Sequence, residues 1–246
     1  MVVFGMTKVV CHKLSIPFFS PNNGDEQFTA ILAASWEDFI EDHAEFSCFG
    51  AIRPGDADPC IPDGLDDYRI VLHLRDPRDA LTSWYYSAAF SHPRKEGGFN
   101  PSDAERERWA AEGIDRFVLE NRHMVVERYW TLLQNLHGRP NVIFTRYEDL
   151  ISDFDSWLGS FLAVFDHVPR AQETVGLFRR RTRIDRIRDE LVRAHGEAFQ
   201  PPDREDQFSH KRQVTPGDFR RKLQPSTIEI LNQDLAQILD RLEYPA

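Results

Sequence analysis

Cysteine is scarce in this chain: Cys11, Cys48 and Cys60 are its three. An odd number with no CxxC or CxxH spacing excludes a disulfide scaffold and a zinc finger or ribbon, and predicts a reducing compartment. Positive charge is in deficit as well, with 30 Lys and Arg against 40 Asp and Glu and a net charge of −10. That balance excludes a general nucleic-acid binder and a binder of anionic membranes. No apolar run approaches the length of a membrane span. The opening MVVFGM lacks the basic-then-apolar layout of a secretion signal, so a cytoplasmic location is expected. The pattern G-x-x-x-x-G-K-[ST] occurs nowhere, which argues against a kinase of the P-loop type. Internal repeats and low-complexity stretches are absent too.

What remains is an ordinary soluble composition, 41% hydrophobic and 28% charged. Its 246 residues are enough for one α/β domain with a sizeable core. The positive charge is clustered, at Arg179 to Arg188 and at His210 to Lys222. Local basic stretches on an acidic protein suit a small anionic ligand better than a polyanion. The Arg179 to Arg188 cluster is also explained as a solvated or salt-bridged helix face.

Short apolar runs alternate with helical spacing. Strands are predicted at Ile16 to Ser20, Phe46 to Ile52, Ile70 to Leu74 and Asn141 to Arg146. Helices are predicted over Met1 to Leu14, Phe28 to Asp42, Pro77 to Phe90, Ala104 to Leu136 with a break near Gly113, Phe154 to Phe165, Val175 to Ala194 and Ser226 to Leu242. Pro54 to Gly64, Ser91 to Ser102 and Ala198 to Val214 read as loops. The continuous apolar character of Ile70 to Leu74 predicts a parallel strand buried on both faces. This alternation defines an α/β fold, in which ligands sit beyond the carboxyl ends of the strands. Arg75 and Arg146 each stand at such an end.

The segment YRIVLHLRDPRDALTSWYYS, Tyr68 to Ser87, is the most informative. A strand delivers Arg75 to a sharp Asp76-Pro77 turn, and a helix opens with Ser83 two turns in. A guanidinium fork, backbone N–H groups and a positive helix end converge there, as an anion site requires. A purely structural account stands beside it. Asp76 is a good N-cap, Pro77 fits the first helical position, and Asp79 resembles the acidic partner of a capping box.

Three pieces together resemble the sulfotransferases that use 3′-phosphoadenosine 5′-phosphosulfate (PAPS). RDPRDALTSWYYS, from Arg75, is similar to the family's 3′-phosphate motif, with Arg75 and Ser83 matching the arginine and the serine eight positions later. VIFTRYEDL, Val142 to Leu150, resembles the strand-to-turn segment whose tyrosine lies near the adenine, here Tyr147. RQVTPGDFRRKL, Arg212 to Leu223, resembles the C-terminal loop of the R-K-G-x-x-G-D-W type. There Arg212, Gly217 and Asp218 match, Phe219 replaces Trp, and Gln213 and Val214 depart from the pattern. The resemblance implies a three-layer P-loop-like α/β fold, a central parallel sheet flanked by helices, over residues 1–246 as a single domain. It implies transfer of a sulfuryl group from PAPS to a hydroxyl or amine of a small-molecule or glycan acceptor, with no metal. Arg75, Ser83 and Arg212 would hold the 3′-phosphate, and Tyr147 would pack near the base. A solvated basic loop is the plain account of Arg212, against which the adjacent Thr215-Pro216-Gly217-Asp218 turn favours a fixed loop; Tyr147 is equally accounted for by an ordinary boundary position.

The family's 5′-phosphosulfate loop, of the P-K-S-G-T-T type, has no counterpart here. In one alignment Val2-Val3-Phe4 is a shortened first strand and Lys8 the loop lysine, with Val9 and Val10 poorly suited to cradle phosphate. In the other, Met1 already starts the first helix, and the strand and loop would lie upstream. The second gives the helix a plausible length. His43 and Glu45 precede the Phe46 to Pro54 segment, and no catalytic base is assigned. The alternative to an enzyme is a truncated or degenerate member that binds nucleotide or a partner without catalysis.

Overall fold

The computed structural model describes residues 2–19, 47–50, 65–91, 101–166, 183–193, 206–208 and 215–245. The helix expected over Phe28 to Asp42, the loop expected over Pro54 to Gly64 and most of Ala198 to Val214 lie outside them, as do His43, Glu45 and Arg212. The chain forms two compact units, one of Met1–Arg69 with Leu162–His195 and one of Ile70–Phe161 with Gly196–Ala246.

In the first unit, helix α1 (Val2–Leu14) leads into strand β1 (Phe18–Phe19). Val2, Val3 and Phe4 are helical, so the reading of these residues as a strand is ruled out, and Lys8 sits on an exposed helix face rather than on a loop. Strand β2 (Cys48–Phe49) pairs in parallel with β1, Phe18 opposite Cys48 and Phe19 opposite Phe49. Both strands are shorter than their apolar runs predict. A helix at 183–193 buries Ile187 and Leu191, one turn apart, and its Glu190 pairs with Lys13 of α1 at 2.7 Å. Cys11 and Cys48 are free thiols, and their mutual hydrogen bond pushes the Cys11 thiol up and the Cys48 thiol down.

The second unit is built on strands β3 (Ile70–Leu74) and β4 (Val142–Arg146). They run parallel, from Ile70 opposite Val142 to Leu74 opposite Arg146. Leu72 and Leu74 are buried while their neighbours on β3 are half-buried, so the strand is not enclosed on both faces as its sequence predicts; among the described residues it pairs with β4 alone. Helix α2 (Pro77–Tyr86) follows β3, and a wider turn over Ser87–Ser91 extends it. Helix α3 (Asp103–Glu112) opens on a capping box, in which Ser102 and Glu105 satisfy each other's backbone N–H. Gly113, at φ +85°, separates α3 from the long helix α4 (Ile114–Asn135). The predicted break there therefore rests on a conformation that glycine adopts without strain.

Helix α2 packs on α4 around Phe117, which is 1% exposed. The rings of Trp84, Tyr85 and Trp109 meet Phe117 edge-on at 5.4, 5.5 and 5.2 Å, a geometry that favours aromatic pairs beyond their buried area. After β4 come the short helix α5 (Tyr147–Ser152) and α6 (Phe154–Ala163). Trp157, Leu158, Phe161, Leu162 and Phe165 are all buried, as the apolar face of that segment predicts. Helix α7 is the segment at 183–193 already described, and α8 is a single turn (Phe219–Lys222). The last predicted helix is two: α9 (Pro225–Asp234) and α10 (Ala236–Arg241), divided at Leu235 with φ −98° and ψ 2°. Leu231, Leu235, Ile238, Leu239 and Leu242 stay buried across the break, so the apolar spacing alone does not reveal it.

On β3, His73 Nδ1 and Thr145 Oγ1 share a hydrogen bond of 3.0 Å, and Trp157 meets the imidazole edge-on at 5.6 Å. Burial pushes His73 down to about 4. An unfolded histidine titrates near 6.5, so the unfolded chain takes up a proton that the folded one refuses. The stability contributed by the neutral ring is complete above about pH 6.5 and is lost as pH falls toward 4. Denaturant titrations should show unfolding free energy declining across that window by up to ~3 kcal/mol on this account, with a shallower decline for His73→Gln. An unchanged slope in the variant would assign the acid sensitivity to other groups.

Candidate functional site

The parallel register of β3 and β4 sets the site. Because Leu74 stands opposite Arg146, the next residues, Arg75 and Tyr147, emerge side by side at the carboxyl ends. Arg75 Cζ lies 4.8 Å from the centre of the Tyr147 ring, a cation–π contact. Burial pushes the Tyr147 phenol above its ordinary value against the pull of Arg75. The backbone carbonyl of Arg75 accepts a 2.7 Å hydrogen bond from the Tyr129 hydroxyl of α4. The Arg75 side chain is 26% exposed. Its Nε is buried and has no hydrogen-bond partner among the described residues, an unpaired donor of the kind native structures rarely leave unexplained. Arg146, at the other strand end, is engaged by Asp149 at 3.0 Å.

Asp76 caps α2, its Oδ1 accepting from the Arg78 N–H at 2.9 Å, and Pro77 takes the first position. The capping-box expectation for Asp79 is not met. The Asp76 N–H donates instead to Glu148 Oε1 of α5 at 3.0 Å, and the other Glu148 oxygen accepts from the Tyr244 hydroxyl at 2.6 Å. Burial and the Glu148 charge push the Tyr244 phenol up. With its expected partner satisfied by Glu148, the Asp79 carboxylate points to the C-terminal loop. Its Oδ2 accepts from the Gly217 N–H at 2.7 Å and its Oδ1 from the Phe219 N–H at 2.9 Å. The same Oδ2 lies 3.7 Å from Arg75 Nη2. Gly217 has φ +78°, so the turn that presents these two donors calls for glycine.

Arg78 is fully buried and encircled by acceptors. It donates to both Asp76 oxygens at 3.0 and 2.7 Å, to Asn232 Oδ1 at 2.7 Å and to the Pro245 carbonyl at 2.7 Å. Two guanidinium groups contact the Phe219 ring, with Arg78 Cζ 4.3 Å and Arg220 Cζ 4.7 Å from its centre.

Of the four residues singled out by sequence, Arg75 and Tyr147 are brought together, and Ser83 is exposed on α2 one turn beyond Asp79. Arg212 lies outside the described residues, five positions before Gly217. Sequence reasoning missed Asp79 as a tether, Glu148 as a cap acceptor, and Arg78, Tyr129 and Tyr244 as supports. A signal existed for Asp79, since the acid sits one turn after Arg75, but the capping account absorbed it. Nothing local marks Tyr244. A cleft of about 170 Å³ beside Gly217 is lined by Asp76, Asp79, Glu148, Arg220 and Tyr244; each of its carboxylates already accepts from a donor named above. Among the described residues no group of His, Cys, Asp or Glu is placed to hold a metal ion, and no helix is long and apolar enough to cross a membrane.

A strand-end arginine, a following helix and a glycine turn tethered to that helix define this corner of the α/β fold. Residues 64–243 match the sulfotransferase domain, and the chain belongs to that family. No curated protein sequence matches the chain at a significant level. Among solved structures, mouse sulfotransferase SULT7A1 complexed with PAP is similar at 12% identity and a TM-score of 0.46, over 91% of this chain and 83% of that one.

Replacing Arg78 by methionine keeps bulk but leaves the buried Asp76 carboxylate without its ion pair. Arg78→Met should cost about 3–5 kcal/mol of unfolding free energy in urea titrations. A loss below about 1 kcal/mol would show that the encircling acceptors contribute little.

Proposed function

We propose that this chain is a PAPS-dependent sulfotransferase, acting as a single sulfotransferase-like domain over residues 1–246 and transferring a sulfuryl group to a hydroxyl or amine of a small-molecule or glycan acceptor. The observation that carries the reading is Arg75, set at a parallel strand end against Tyr147 with a buried Nε that lacks a hydrogen-bond partner among the described residues. In this reading Arg75, Ser83 and Arg212 bind the 3′-phosphate through charge-assisted hydrogen bonds, and Tyr147 packs beside the base. In this reading the chemistry requires no metal. The protein's task is to orient acceptor and donor in line and to stabilise charge on the bridging oxygen. A cytoplasmic setting accords with the free thiols of Cys11 and Cys48.

A second reading is favoured by one observation: no loop of the P-K-S-G-T-T type occurs in the sequence, and Lys8 lies within α1. In that reading the protein binds nucleotide or a partner without transferring a group.

Calorimetry with adenosine 3′,5′-bisphosphate tests the site. The wild-type chain should bind it, and Arg75→Ala and Arg212→Ala should each weaken binding roughly 10- to 100-fold, since a hydrogen bond between charged groups contributes about 1.5–3 kcal/mol. A folded wild-type chain that does not bind the bisphosphate would sink the nucleotide reading. Binding without sulfuryl transfer to any acceptor in a broad panel would favour the second reading.

A further inference from the structure

Asp79 has no exposed side-chain surface, yet a buried carboxylate is costly unless its charge and lone pairs are used. The role that its sequence position suggests, closing a capping box, is filled by Glu148. Its two oxygens instead hold the N–H groups of Gly217 and Phe219, 138 and 140 residues away. Three backbone and side-chain groups therefore converge on one carboxylate: two amides of the C-terminal loop and the guanidinium of Arg75.

The Arg75 contact is the informative one. At 3.7 Å it is an ion pair but longer than a hydrogen bond. Asp79 thus attracts one edge of the guanidinium without capturing its N–H groups, while the Tyr147 ring holds one face. The fork is fixed in plane and direction and can still donate to an anion. The same carboxylate also fastens the Gly217 turn, through the Gly217 and Phe219 N–H groups.

We propose that Asp79 is a positioning residue for the 3′-phosphate: it aims Arg75 and ties it to the Gly217 turn, so that the strand-end guanidinium and that turn are set by one buried charge. This rests on the nucleotide reading above. Asp79 touches neither donor nor acceptor substrate and acts through Arg75 and the Gly217 turn. Asparagine in its place keeps the size, but it removes the charge and turns one acceptor into a donor that faces a backbone N–H.

The test compares two nucleotides on the full chain by calorimetry at fixed salt: adenosine 3′,5′-bisphosphate and adenosine 5′-monophosphate, which lacks the 3′-phosphate. Asp79→Asn should weaken the bisphosphate roughly 10- to 100-fold, in line with loss of charge-assisted contacts, and the monophosphate by less than about threefold. In an Arg75→Ala background the added loss from Asp79→Asn should shrink to less than about a third of its value in the wild type, because coupled groups are not additive. Equal losses for both nucleotides, or a full Asp79→Asn penalty in the Arg75→Ala background, would reduce Asp79 to a structural residue and overturn the proposal. If the variant does not fold, amide exchange on the wild type decides. Exchange at Gly217 and Phe219 should slow with bisphosphate and not with monophosphate, and an absence of that difference overturns the proposal. A wild-type chain that binds neither nucleotide fails the nucleotide reading and this inference with it. A wild type and an Asp79→Asn variant that bind the bisphosphate equally fail this inference alone.

Discussion

A guanidinium with no access to water must be surrounded by acceptors, and Arg78 imposes that requirement on the whole β3–α2 corner. It takes both oxygens of Asp76, the side-chain carbonyl of Asn232 and the backbone carbonyl of Pro245. Those four bonds draw α2, α9 and the residues after α10 together at one point. They also determine what is left for the neighbours. Asp76 is committed through its side chain, so its N–H turns to Glu148, and Glu148 in turn binds Tyr244. Asp79 is released from the helix start and reaches the Gly217 turn. The corner is a chain of donors and acceptors, and at Arg78 and Asp79 the usual cost of burying charge is offset by these bonds.

The parallel strand pair supplies the other half of the geometry. A register shift of one residue would separate Arg75 from Tyr147 and turn their side chains to opposite faces. Tyr129 holds the backbone at Arg75 from the α4 side, and α4 is itself held by the ring cluster around Phe117. The packing that stabilises the second unit is thus also what keeps the strand-end arginine in place.

Local features of the sequence announced much of this. The Asp76-Pro77 start of α2, the Gly113 break and the apolar face from Trp157 to Phe165 follow from capping, glycine conformation and helical spacing, all of which act over a few residues. The contact of Arg75 with Tyr147 depends on the β3–β4 register, which no local feature of the sequence states. What was not legible depends on distant partners. Asp79 reads as a cap by itself, and only Glu148, 69 positions later in the chain, displaces it from that role. The break at Leu235 is invisible because buried leucines continue on both sides. The half-buried faces of β3 contradict its apolar run, since a run of apolar residues records composition and not how many neighbours a strand has.

The contacts around α2 join residues 138, 154 and 167 positions apart. Contacts so far apart in sequence form late, because a long loop must close before they stabilise anything. During synthesis from the N-terminus, the charges of Arg78 and Asp79 emerge long before Gly217, Asn232 and Pro245 exist to receive them. The corner is therefore assembled only once the chain has been made as far as Pro245: a fragment that stops short of that residue lacks one of its acceptors, however well it forms its strands and its aromatic core.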